Sequence, residues 1–145
     1  MNMKLGAFPQ TRLRRLRQTE QLRSLGEETT LKLENLVVPL FVKENLKERR
    51  PIPSMPGYDQ LSLSEVQAEV EELRNLGLSK IILFGIPTHK DREGSASFSE
   101  KGVVQQAIKT IRKSVPEILV IADLCFCEYT DHGHCGVVEQ EDVHN

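Results

Sequence analysis

An α/β fold built on a parallel sheet is predicted by three features of the 145-residue chain. Short apolar runs begin at residues 36, 80 and 118, and a segment of helical periodicity lies in each interval between them. Each interval is long enough for a right-handed crossover, so strand, helix, strand, helix, strand implies parallel pairing. The composition, 39% hydrophobic and 28% charged with a net charge of −2, is that of an ordinary folded chain. Two crossover helices cannot cover both faces of a parallel sheet. The pattern therefore reads as the front part of a larger α/β domain, either a closed barrel or an open sheet.

The chain begins with a basic arm. Residues 1–23 carry Lys4, Arg12, Arg14, Arg15, Arg17 and Arg23 against the single acid Glu20. Leucines alternate with the arginines and the rest of the chain is acidic. The arm thus reads as a solvated extension or a subunit contact rather than a nucleic-acid grip. "LVVPLFV" (36–42) is the first buried strand, and polar "KENLKERR" with Pro-rich "PIPSMPG" (51–57) follows as a loop. In "LSLSEVQAEVEELRNLG", Ser62 and Glu65 form a capping box. Leu63, Val66, Val70 and Leu73 repeat at helical spacing, and Gly77 supplies the stop. "KIILFG" (80–85) is the second strand. The polar "IPTHKDREGSASFSEKG" after it has no regular pattern, and His89, Lys90 and Asp91 in it read as a solvated loop in which Lys90 could pair with Asp91 or an anion. Val104, Ala107, Ile108 and Ile111 share one face of a second helix ended by Pro116, and "ILVIADLCFC" (118–127) reads as the third strand.

All three cysteines fall within "CFCEYTDHGHC" (125–135). On a strand reaching 127, Cys125 and Cys127 share a face, and the glycine-containing "DHGHCG" turn can bring Cys135 back to them. Such a set suits zinc, for which three protein ligands and one open position is the catalytic arrangement. His132 or His134 would either close the site as a fourth ligand or serve beside it. The plainer reading is buried core or redox thiols, since C-x-C-x₇-C is not a standard zinc-finger spacing and cysteine packs well in cores. A Cys125–Cys127 disulfide is geometrically poor. Asp123 would share the strand face with Cys125 and orient a ligand or bind substrate. No phosphate-binding glycine loop occurs. The absence of an apolar run approaching ~20 residues, or of a secretory signal in the first residues, leads to the expectation of a cytoplasmic protein without membrane insertion.

"DLCFCEYTDHGHCG" (123–136) resembles the metal-binding segment of the porphobilinogen synthase (5-aminolevulinate dehydratase) family. "RLRRLR", "LVVPLFV", "IPSMPGY", "LGLSKIILFGIP" and "KDREGSASFSEKGVVQQAI" resemble further blocks of that family in the same order. The resemblance implies a TIM (β/α)8 barrel, with residues 1–33 as an N-terminal arm and 34–145 as the first three β/α units. It implies condensation of two 5-aminolevulinate molecules to porphobilinogen with loss of two waters. The zinc ligands would be Cys125, Cys127 and Cys135, and the Zn2+ would polarise the second substrate. Asp123 would be an active-site acid and His134 a group beside the metal, and an additional allosteric Mg2+ is left open. Arg12, Arg14 and Arg15 would make a subunit contact in a homo-oligomer, commonly an octamer, with no nucleic-acid partner. The family's two Schiff-base lysines match no lysine of this chain, so the 145 residues alone are expected to be an inactive portion. The alternative is a non-catalytic zinc-binding or subunit-interaction half-barrel.

Overall fold

The computed structural model describes residues 14–140 and 142–144. Arg12 lies outside the described residues. The chain divides into two compact units, 1–32 and 33–145. In the first, a 3-10 turn at Arg15–Arg17 precedes helix α1, Glu20–Leu25. The Thr19 hydroxyl accepts the Leu22 N–H at 3.2 Å as an N-cap, and Arg14 and Arg15 are exposed.

The second unit is α/β. Its main sheet contains β1 (Val38–Lys43), β2 (Arg50–Pro51), β3 (Asp59–Leu61), β4 (Lys80–Ile86) and β5 (Leu119–Ala122), in the order β2-β3-β1-β4-β5. The expected parallel arrangement holds at its centre: β1 pairs with β4 from Val38↔Ile81 to Lys43↔Ile86, and β4 pairs with β5 from Lys80↔Leu119 to Leu83↔Ala122. β3 adds in parallel on the other side of β1, and β2 runs antiparallel beyond it, which makes the sheet mixed. β2 falls within the segment expected to be loop, and β3 lies just after it in a stretch given no strand. Two and three residues flanked by prolines leave too little alternation to register as strands.

Helices α2 (Val66–Asn75) and α3 (Val103–Ser114) pack on each other over one face of the sheet. Burial alternates strictly along β4, so Ile81 and Leu83 point into the core with Leu40 and Val42 of β1. There they meet Val66, Val70 and Leu73 of α2 and Val104, Ala107 and Ile111 of α3. Each fully buried aliphatic side chain contributes roughly 1.5–3 kcal/mol. The opposite face carries the stacked rings of Phe41 and Phe84, with centroids 5.3 Å apart.

Half of the capping box expected for α2 is present, while its N-cap residue Glu65 makes no side-chain bond to the first turn. Glu65 accepts the Ser62 N–H at 3.0 Å and the Ser62 hydroxyl at 2.7 Å, which lowers the Glu65 pKa. At the other end Gly77 adopts φ +85°, its N–H bonds to Arg74 O, and Leu78 N–H bonds to Leu73 O, a Schellman closure.

The third strand is shorter than expected. β5 stops at Ala122, and the Asp123 N–H makes the last bond to the sheet, to Leu83 O at 3.2 Å. Leu124 is 91% exposed, and residues 126–130 turn, with Tyr129 and Thr130 N–H both bonded to Phe126 O. Apolar residues resume after Asp123, at Leu124, but the ladder with β4 does not. Beyond the sheet, Val137–Glu139 (β6) and Asp142–His144 (β7) form a small antiparallel ribbon that was not expected.

Candidate metal centre

Parallel β1, β4 and β5 share a carboxyl end, the side of such sheets where ligand sites form. Two loops meet there, 87–102 after β4 and 123–136 after β5. The second loop carries the thiols. Cys125 and Cys127 are not on a strand, so alternation along a strand is not what brings them together, and Asp123 does not share a strand face with Cys125. The convergence comes from the turn at 126–129 and from Gly133, whose φ of +74° reverses the chain and returns Cys135.

The result is a compact triangle. Cys135 Sγ lies 3.2 Å from Cys125 Sγ and 3.1 Å from Cys127 Sγ, and the Phe126 N–H donates to it at 3.2 Å. All three thiols are free and partly buried, and their sulfurs lie within 4.8 Å of one another. Hydrogen bonds from Cys127 and Cys125, then the Phe126 N–H, hold the Cys135 thiol down to about 7. The same bonding to Cys135 pushes Cys125 up to about 12 and raises Cys127. Cys135 is therefore the first of the three thiols to ionise, hydrogen-bonded to the other two, and the cluster is poised to exchange its protons for a cation. A tetrahedral zinc ion with ~2.3 Å bonds sets its sulfurs about 3.8 Å apart, so loading requires the two Cys135 contacts to open by about 0.6–0.7 Å. The donor set fits zinc.

Asp123, Cys125 and Glu128 form a second group whose ligand atoms lie within 4.8 Å of one another. Glu128 escaped the sequence reading because one acid between two cysteines carries no spacing signal. Its charge and that of Asp123 add to burial in raising the Tyr129 pKa. Among the described residues neither His132 nor His134 joins the thiols. The two rings stack with centroids 5.8 Å apart, and His132 Nδ1 accepts the His134 N–H at 3.2 Å. A fourth position on the thiol triangle is thus not filled by imidazole. A cavity of about 270 Å³ borders the cluster, lined by Cys125, Asp123, Phe126, Tyr129, Phe98 and Ile108 among others.

Loop 87–102 is ordered by Asp91. Its carboxylate accepts the Glu93 N–H at 3.1 Å, the Ser95 N–H at 2.9 Å and the Ser95 hydroxyl, which lowers its pKa. Lys90 is exposed, and Asp91 is engaged by Ser95 rather than by it.

The Delta-aminolevulinic acid dehydratase family model matches residues 10–145. The chain belongs to the delta-aminolevulinic acid dehydratase family. A delta-aminolevulinic acid dehydratase of Halalkalibacterium halodurans is 51% identical over 134 residues, covering 92% of this chain and 41% of the relative. The Archaeoglobus fulgidus relative is 45% identical and covers 97% of this chain and 44% of its own length. The chain thus spans about two fifths of the length of these curated relatives. In three dimensions it is similar to delta-aminolevulinic acid dehydratase (porphobilinogen synthase) from Toxoplasma gondii ME49, solved with the reaction product porphobilinogen. That similarity has a TM-score of 0.82 and 32% identity over 92% of this chain and 38% of the other. Family membership and the α/β architecture therefore rest on independent observations.

Proposed function

We propose that the chain is the N-terminal portion of a zinc-dependent porphobilinogen synthase, contributing the metal centre and the first three β/α units of a TIM barrel. The observation that carries this reading is the convergence of Cys125, Cys127 and Cys135 at the carboxyl end of the parallel strands, in a chain of this family. Cys125, Cys127 and Cys135 would hold the ion, and zinc, when bound, would supply Lewis-acid chemistry there. Asp123 borders the cavity next to Cys125, where its carboxylate can orient the substrate or accept a proton. The His134 carbonyl accepts the Thr130 hydroxyl at 3.0 Å, and that bond pins the turn leading to Cys135.

In this reading the substrate is 5-aminolevulinate. The two lysines that form Schiff bases with it lie outside these residues, so the chain alone makes no porphobilinogen. Arg12, Arg14 and Arg15 belong to an arm that contacts a neighbouring subunit of a homo-oligomer. Among the described residues no helix is long and apolar enough to cross a membrane.

A chimaera tests the proposal. Residues 1–145 joined to the remaining portion of the Halalkalibacterium halodurans relative should form porphobilinogen, and Cys135→Ala or a zinc chelator should abolish it. A folded chimaera that forms none, or one indifferent to Cys135→Ala, would contradict it.

A further inference from the structure

The thiol-bearing loop is braced from outside by a segment that carries no thiol. Asp91 pairs in parallel with Thr130: its N–H donates to Tyr129 O at 3.3 Å, and its C=O accepts the Asp131 N–H at 3.1 Å. Arg92 continues the brace, its carbonyl 3.1 Å from His132 Nε2 and its guanidinium donating to Val138 O. His132 Nδ1 accepts a backbone N–H, so the ring proton sits on Nε2 and donates to Arg92 O. Residues 129, 131, 132 and 138 are thereby fixed on both sides of Cys135 and just after Cys127. The brace is itself rigid because the Asp91 carboxylate closes the 91–95 turn on three donors. Gly94 seals the contact. It adopts φ +64°, and a side chain there would press on Tyr129 Cβ at 3.3 Å and Thr130 Cγ2 at 3.4 Å.

We infer that Asp91 is a positioning residue for the metal centre: by locking the 91–95 turn against Tyr129–Asp131 it sets the reach of Cys135 to Cys125 and Cys127. The inference rests on the metal reading of the thiols. It accounts for a long polar loop that keeps a fixed conformation with little core of its own. Outer partners of this kind typically control metal affinity and ligand geometry without touching the ion.

The test uses Co2+ as the probe, because its thiolate charge-transfer and d–d absorption reports ligand number and geometry. Asp91→Ala should bind Co2+ about tenfold more weakly than the parent chain, with an altered d–d spectrum. Asp91→Asn keeps an oxygen acceptor for the Glu93 and Ser95 N–H groups and should restore both. Leu73→Ala, in the helix-sheet core, should lower the melting temperature while leaving the cobalt affinity and spectrum unchanged. If Asp91→Ala does not fold, Ser95→Ala, which removes only the hydroxyl contact, decides by a smaller shift in the same direction. Parent affinity and spectrum in the decisive variant would overturn the inference alone, as would an equal loss of affinity in Leu73→Ala. A parent chain that takes up no cobalt would overturn the metal reading and this inference together.

Discussion

Cys135 accepts S–H donors from Cys125 and Cys127 and an N–H from Phe126, and this asymmetry dictates how the site responds to acid. Above its pKa of about 7 Cys135 is already a thiolate, while Cys125, at about 12, and Cys127, also raised, must each lose a proton to bind a cation. Uptake therefore releases about two protons, and affinity should strengthen about 100-fold per pH unit above pH 7, and more steeply below it as Cys135 protonates too. A zinc titration at several pH values, with proton release followed in parallel, checks this, and pH-independent affinity between pH 6 and 8 would contradict it. The ligand candidates could be read from the sequence because three thiols in eleven residues are rare by chance. How they converge could not, because that depends on a turn at 126–129 that contains neither glycine nor proline to mark it.

β1 and β4 were legible as short uninterrupted apolar runs, and α2 and α3 because each carries a three-to-four-residue apolar repeat. β2, β3 and the β6–β7 ribbon were not, because two- or three-residue strands owe their pairing to neighbours rather than to their own pattern. The bracing role of Asp91 leaves no local sequence signal, because its partners at 129 and 131 are distant in sequence. Close approach between elements is also invisible in one dimension. Gly85 of β4 faces α3 and Tyr129, and a Cβ there would lie 2.6 Å from Val104 Cγ2 and collide with the tyrosine hydroxyl. Gly85→Ala should thus cost about 1–3 kcal/mol of stability by overpacking. Thermal denaturation measures the loss, and an unchanged melting temperature would show that the sheet, α3 and Tyr129 are less tightly joined than described.

As a whole the described chain presents a sheet with β5 at its edge, where Leu119 is 49% and Ile121 37% exposed, and helices α2 and α3 over one face. This open edge supports the proposal that the chain supplies part of a larger barrel, in keeping with the two fifths of each curated relative that it spans. All three thiols of the candidate metal centre lie in this chain, so the central claim can be tested on the 145 residues themselves. Equilibrium dialysis of the reduced protein against zinc, followed by elemental analysis, should find one zinc ion per chain, and none of comparable affinity after Cys135→Ala. A parent chain that retains no zinc, or a Cys135→Ala chain that retains it equally, would contradict the account.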